Sequence, residues 1–226
     1  MTQEPVKGIA FLFDNDGVLI DSSELHWQAW QLLMKEDAEF SMDREQFART
    51  FGQRNDRILN ETIPSISEKR REELGNRKEE LFRKCARGNV SLLPGIESFL
   101  KAIKEAHIPH IIASSTPKQN LEMFLSSTVL GEYFTQYVSA EEVANGKPAP
   151  DIFIAAAERL GFDPKACVVL EDAPAGLKAA KAAGCFAVAL ETSHRKEELL
   201  DADLIYPLPK DLDLQEIVSR FHRIAR

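Results

Sequence analysis

The sequence predicts an α/β protein: a doubly wound parallel sheet, interrupted after its first strand by an all-helical insert. Three observations carry that expectation. Beyond Leu92-Leu93-Pro94-Gly95, short apolar runs alternate with amphipathic stretches, the pattern of parallel strands joined by crossover helices. Between residues 24 and 88 the pattern is helical throughout, with no intervening strand. The run Phe11-Leu12-Phe13 enters Asp14-Asn15-Asp16-Gly17, as a buried strand does when it ends in a tight turn.

Taken in order, Ser22-Ser23-Glu24 opens a helix whose apolar residues recur at helical spacing through His26, Trp27, Trp30, Leu33 and Met34. Asp43 to Phe51, Asp56 to Ile63 and Ser67 to Arg87 follow as helices of rising charge, and that charge reads mostly as solvated surface. Alternation then begins: a helix from Ile96, strand Pro109 to Ala113, a helix from Pro117, and a short strand Gln136 to Val138. It continues with helix Asp151 to Leu160, strand Cys167 to Leu170, helix Ala175 to Ala183 and strand Phe186 to Leu190. A short strand around Leu204-Ile205 and a helix from Leu212 to Ala225 close the chain. The expected organisation is therefore an α/β core of residues 1–22 and 89–226 with a helical cap domain of residues 23–88. An insert rooted beside the first strand end suits a lid, with hinges at Ile20 to Ser22 and Asn89 to Pro94.

Composition narrows the function. A chain of 226 residues with 44% hydrophobic content supports one sizeable core plus a smaller module. A net charge of −8 argues against broad binding to nucleic acid or to an anionic membrane, so an anionic substrate has to be met by locally placed cations. No apolar run approaches bilayer length, and Met1 to Pro5 lack the regions of a signal peptide, so the expected compartment is the cytoplasm. The expected state is a monomer or weak dimer. Cys85, Cys167 and Cys185 are odd in number and lack metal spacing, which predicts reduced, mostly buried thiols.

Four strand ends carry chemistry. Asp14 and Asp16 would point to opposite sides of an extended strand, and they reach one substrate only if the chain bends after Asp14, which Gly17 permits. An alternative is a turn of Asp and Asn held by local hydrogen bonds. Ser114 and Ser115, in the run Ser114-Ser115-Thr116-Pro117, suit phosphate oxygens and equally suit a helix N-cap. Lys147, in the proline-stiffened loop Gly146-Lys147-Pro148-Ala149-Pro150-Asp151, offers a compact positive charge for phosphate. Glu171 and Asp172 could cap the next helix, or join Asp14 and Asp16 in the oxygen ligand set that Mg²⁺ requires. In an open parallel sheet, ligands bind outside the carboxyl ends of strands, where all four motifs stand.

Phe13-Asp14-Asn15-Asp16-Gly17-Val18 resembles the first motif of the haloacid dehalogenase superfamily of phosphohydrolases, and the other three strand ends resemble the later motifs in the family's order. The resemblance implies a Rossmann-like core with a helical cap, Asp14 as nucleophile and Asp16 as general acid and base. It also implies phosphate binding by Ser114 and Lys147, and Mg²⁺ held by Asp14, Asp172, Glu171 as a nearer or outer ligand, and the backbone carbonyl of Asp16. An acid at position 16 sets the chain apart from the family's dehalogenases and transport ATPases. Asn15 stands where relatives more often carry an apolar residue, and is expected to point away from the nucleophile and to affect packing. Lys147 to Ala157 is similar to the β-phosphoglucomutases, and the cap places His26, Arg54 and Lys78 where those enzymes have functional residues. Phe51 to Asp56 and Arg77 to Glu80 look equally like the caps of sugar-phosphate phosphatases. The implied activity is a Mg²⁺-dependent phosphatase of a small phosphorylated metabolite, working through an aspartyl-phosphate. Phosphoryl transfer between sugar hydroxyls is the alternative, and a non-enzymatic phosphate-binding or scaffold role is the reading from a different class.

Overall fold

The computed structural model describes residues 8–224. The reading of Met1 to Pro5 and the end of the last helix at Ala225 lie outside the described residues. Six strands form one sheet: β1 (Ala10–Phe13), β2 (His110–Ala113), β3 (Tyr137–Val138), β4 (Cys167–Glu171), β5 (Phe186–Leu190) and β6 (Leu204–Tyr206). Their order is β3-β2-β1-β4-β5-β6, and every pair is parallel. Connections leave β1 toward β2 on one side and arrive at β4 on the other, so the chain reverses its winding between β1 and β4. That reversal opens a crevice at the carboxyl ends of these two strands.

Alternation along the strands feeds two apolar layers. Phe11 and Phe13 point to the layer that also holds Leu170, Val188, Phe99, Leu100, Ile217 and Phe221, beneath α5 (Ile96–Glu105) and α9 (Leu214–Ile224). Ala10, Leu12 and Val169 point to the opposite layer, which α7 (Asp151–Leu160) and α8 (Pro174–Ala183) cover with Phe153, Ala156, Leu177 and Ala180. Small residues on β5 at Ala187 and Ala189 let α8 approach closely. Helix α6 (Lys118–Ser127) follows β2 and adds Leu121 and Phe124 to the first layer.

The insert consists of α1 (Ser23–Glu36), α2 (Arg44–Thr50), α3 (Asn55–Thr62) and α4 (Glu68–Ala86). Leu25, Ala29, Trp30 and Leu33 on α1 bury against the face of α4 that carries Leu74, Leu81 and Phe82. Its two connections are tied together: Asp21 N–H donates to the Ser91 carbonyl at 3.0 Å and Leu93 N–H to the Leu19 carbonyl at 3.0 Å. The insert therefore enters and leaves through one short ribbon at the crevice, not through two independent tethers.

Some boundaries shift for local reasons. Helix α9 begins at Leu214, two residues later than expected from the apolar pattern, because Asp213 accepts the Gln215 and Glu216 N–H groups at 2.9 and 3.0 Å and so acts as its cap. Lys78 and Glu79 are buried, contrary to the expectation of solvated charge along α4. Cys167 and Cys185 are buried, and Cys85 is partly so. Burial pushes the thiols of Cys167 and Cys185 up to about 12, which leaves them unreactive. Among the described residues, no helix is long and apolar enough to cross a membrane.

Candidate active site

The bend that both acids need is present. Gly17 has φ +76°, and the Asn15 carbonyl accepts the N–H groups of Leu19 and Ile20 at 2.9 and 3.0 Å, folding the chain back directly after β1. Asp14 and Asp16 consequently line the same cavity. Asn15 is fully buried, and neither atom of its amide has a hydrogen-bond partner. An unpaired buried amide costs free energy that an apolar side chain does not. Asn15→Leu is therefore expected to raise unfolding stability by about 1–2 kcal/mol in a urea titration while leaving turnover unchanged.

Around Asp14 the site is dense in charge. Lys147 Nζ lies 2.9 Å from Asp14 Oδ1 and also donates to Glu171 Oε1. The second oxygen of Glu171 accepts the Asp172 and Ala173 N–H groups at 2.9 and 3.0 Å, so Glu171 orients both the lysine and the loop after β4. Burial raises the Asp14 carboxyl to about 7; Lys147 opposes the shift, while Glu171 and Asp16 add to it. Burial is also the main reason that Asp172 sits well above the usual carboxylate range, with Glu171 and Asp14 contributing. Lys147 is pushed the other way by burial, but the two facing carboxylates prevail and hold it above its ordinary value.

The residues present suit a divalent cation. Asp14, Glu171 and Asp172 each offer an oxygen within 4.8 Å of the others, and all three are buried. Both carboxylate oxygens of Asp172 lack a hydrogen-bond partner. Two glycines keep the space clear: a Cβ at Gly17 would lie 1.8 Å from Asp172 Oδ2, and one at Gly176 would lie 1.8 Å from Glu171 Oε1. Buried carboxylates crowded in this way, with oxygens left unpaired, are what a hard cation with oxygen ligands would satisfy. The Asp16 carboxylate is not part of the cluster, since its oxygens are engaged elsewhere.

Asp16 accepts the Ser22 hydroxyl at 2.5 Å, the Thr116 hydroxyl, and His26 Nε2 at 3.2 Å. Burial works to raise this carboxyl, but His26 and the hydrogen bonds from Ser22 and Thr116 outweigh it and hold the group below the usual carboxylate range. Ser22 stands at the N-cap of α1, yet its hydroxyl serves Asp16 and makes no cap bond. Ser114 is buried at the end of β2, where its oxygen accepts the Thr116 N–H at 3.2 Å and lies 3.0 Å from the Thr116 hydroxyl. Ser115 is half-buried and lines the cavity.

The cavity between sheet and insert measures about 950 Å³. Of the three cap residues singled out by sequence, Arg54 lines its wall, its side chain crossing Gly146 with Nε 3.3 Å from Asp56 Oδ1. His26 and Lys78 reach the cavity too, but their polar atoms are committed: Lys78 Nζ lies 2.6 Å from His26 Nδ1 and 2.8 Å from Glu79 Oε1. His26 stacks on Phe82 with ring centroids 3.9 Å apart. Sequence reasoning misses Thr116, Arg57 and Glu79. Thr116 is signalled only as the third hydroxyl of its run, and Arg57, which donates to the Lys147 carbonyl at 3.1 Å, has no signal at all.

Comparison with known proteins places this geometry. The family model described as haloacid dehalogenase-like hydrolase matches residues 11–190. The chain is 32% identical over 214 residues to β-phosphoglucomutase of Bacillus subtilis, covering 91% of this chain and 92% of that protein. It is 30% identical over 196 residues to the chloroplastic 5-amino-6-(5-phospho-D-ribitylamino)uracil phosphatase of Arabidopsis thaliana. That match covers 86% of this chain and 52% of the relative, so the chain spans about half of that protein's length. Among solved structures, β-phosphoglucomutase of Clostridium difficile superposes with a TM-score of 0.86 at 27% identity, over 96% of this chain and 99% of that one.

Proposed function

The chain belongs to the haloacid dehalogenase-like hydrolases, and on that premise we propose that it is a Mg²⁺-dependent phosphatase of a small sugar or sugar-alcohol phosphate, acting through an aspartyl-phosphate. The observation that carries this reading is the buried pairing of Asp14 with Lys147 at 2.9 Å, with Asp14 at the strand switch point where it lines the cavity. An Asp14 oxygen attacks phosphorus in line as the ester P–O bond breaks, leaving the phosphoryl group on Asp14. Lys147 and the Ser114 hydroxyl meet the phosphoryl oxygens, and Glu171 keeps Lys147 aimed at them. Asp14, Asp172 and the Asp16 carbonyl would hold Mg²⁺ with Glu171 behind them, and the ion would supply charge neutralisation at phosphorus when bound.

Asp16 handles the proton. With Ser22, Thr116 and His26 donating to it, the carboxylate is arranged as a base, which suits the second half of the reaction, when the water that attacks the aspartyl-phosphate loses its proton. In the first half the same carboxyl gives its proton to the leaving sugar oxygen, so one of these donors has to release it as substrate arrives. Residues 23–88 act as the cap that brings Arg54 over the substrate and excludes bulk water, turning on the ribbon formed by Leu19 to Asp21 and Ser91 to Leu93.

Transfer to a sugar hydroxyl instead of water is the second reading, favoured by likeness to β-phosphoglucomutases over nearly the whole chain. One experiment separates the two. The protein with Mg²⁺ is offered a panel of pentose, hexose and hexitol phosphates, including β-glucose 1-phosphate primed with glucose 1,6-bisphosphate. Free phosphate supports the phosphatase, isomerised sugar phosphate supports the mutase, and no turnover of any ester overturns both.

Arg54 tests the role of the cap. Contacts far from phosphorus that form only on closure appear in kcat as well as KM. Arg54→Ala is expected to lower kcat/KM for the best sugar phosphate by more than about tenfold, or about 1.4 kcal/mol, with p-nitrophenyl phosphate much less affected. Equal losses for the two substrates would instead make Arg54 a residue of cap folding.

A further inference from the structure

We infer that Glu79 is a positioning residue that fastens the helical insert to the sheet domain and, in doing so, holds the Lys78–His26 pair against Asp16. The inference rests on the reading of Asp16 as the proton-transfer group, and it starts from an arrangement that the phosphatase chemistry does not itself use. Glu79 is 7% exposed, and both of its oxygens are occupied. Oε1 accepts from Lys78 Nζ at 2.8 Å and from Asn55 Nδ2, on α3, at 2.7 Å. Oε2 accepts from Asn120 Nδ2 at 2.5 Å, and Asn120 belongs to α6 of the sheet domain, where it is fully buried. The Asn120 carbonyl oxygen in turn accepts from Arg83 Nη1, back on α4, at 3.0 Å.

One carboxylate thus joins α3, α4 and α6, and only the last of these lies outside the insert. The bond to Asn120 exists only while the insert rests on the sheet domain. Asn120 is spent at both ends of its amide on α4, which an ordinary interface residue does not require. Glu79 stays below the ordinary carboxylate range even here: burial opposes ionisation, and the Lys78 charge, with the Lys78 and Asn55 hydrogen bonds, overcomes it. A buried ammonium needs that counter-charge, since an unpaired ion in this setting costs several kcal/mol.

The consequence reaches Asp16 through two side chains. Lys78 donates one N–H to Glu79 and directs another to His26 Nδ1 at 2.6 Å. With Nδ1 accepting, the ring proton sits on Nε2 and points at Asp16 Oδ1, 3.2 Å away. Lys78 also lies 5.3 Å from the Trp30 and Phe82 ring centroids, and His26 packs against Phe82 and Phe51, so aromatic rings flank both side chains. Loss of the Glu79 charge, or of its anchor Asn120, frees Lys78 to move and releases the imidazole from the orientation Asp16 uses.

Glu79→Gln and Asn120→Ala test this, together with the double variant. Each single change is expected to lower kcat for the best hexose or hexitol phosphate of the panel by about tenfold or more, part of the 10²–10⁴ that acid–base catalysis supplies. KM should stay within about threefold; kcat/KM for p-nitrophenyl phosphate, which reports only the steps up to departure of a leaving group that needs no proton, should lose less than about threefold; and the two changes should be strongly non-additive. The ring nitrogens of His26 give a readout independent of turnover: ¹⁵N NMR should show a single tautomer with the proton on Nε2 in the parent protein and a mixture in Glu79→Gln. Equal losses of kcat/KM on both substrates, additive effects, or unchanged kcat with only a lowered melting temperature would each overturn the inference. If Glu79→Gln does not fold, Asn120→Ala and its His26 spectrum decide alone. If the parent protein turns over no ester, the phosphatase reading fails, and the tautomer measurement still decides whether Glu79 positions His26.

Discussion

Asp14→Asn is expected to abolish phosphoryl transfer, with turnover falling by more than about 10³-fold, because an amide oxygen cannot form the acyl phosphate on which both half-reactions of the proposed mechanism depend. The same change should leave the fold intact. Asp14 is a buried carboxylate whose neutral form is favoured by its surroundings, and Lys147 retains Glu171 as a partner when the Asp14 charge is removed. Measured without divalent cation near neutral pH, the melting temperature of Asp14→Asn should equal or exceed that of the parent chain. Loss of turnover with retained or increased stability identifies a nucleophile. Loss of both would make Asp14 a structural member of the ion-pair cluster, and substantial residual turnover would remove it from the chemistry.

Removing the metal should have an effect of similar size. Excess chelator is expected to abolish turnover and Mg²⁺ to restore it, while Asp172→Ala should raise the Mg²⁺ concentration required by more than about tenfold. The pH dependence of stability gives an independent measure. Asp14 is raised from 3.8 to about 7 in the folded protein, and Asp172 is raised as well, so between about pH 4 and about pH 7 the folded state binds protons that the unfolded state has released. Stability in chelator should therefore be greatest at the acid end of that window and fall as pH rises through it. Bound cation offsets the crowded negative charge, so the fall should be smaller in Mg²⁺. Melting temperatures at about pH 5 and about pH 7.5, each with chelator and with Mg²⁺, check this. Equal slopes under the two conditions would mean that no cation binds among Asp14, Glu171 and Asp172.

The doubly wound sheet and the candidate site residues at the ends of β1, β2 and β4 are legible in the sequence because their causes are local, and Lys147 differs from the expectation only in standing on the loop before α7, nine residues past the end of β3. Apolar runs such as Phe11 to Phe13 and Val168 to Leu170 specify buried strands, and Gly17 and the prolines around Lys147 restrict the turns that follow. Asp14, Ser114, Lys147, Glu171 and Asp172 are each placed by the strand or loop they terminate, so a correct strand puts them at the crevice with no further information. The helical character of the insert is encoded in the same way, by the 3.6-residue spacing of α1 and α4.

Partnership and burial are decided only in three dimensions. Lys78 and Glu79 sit in a run of charged residues that resembles any solvated helix face, and apart from the family resemblance at Lys78 nothing in that run distinguishes them from Arg77 and Glu80, which remain on the surface. Their burial follows from α4 lying against α1, α3 and α6, contacts made by residues 24 to 52 positions away. Likewise Ser22 reads as a helix cap and Thr116 as a turn residue, until folding brings both hydroxyls to Asp16, the second from 100 positions along the chain. The space that Gly17 and Gly176 leave for Asp172 and Glu171 is also invisible in sequence, because what a missing Cβ would have met depends on where β4 and its loop come to rest beside β1. Strands, turns and helices answer to neighbours in the chain, whereas the protonation, orientation and burial of a functional group answer to neighbours in space.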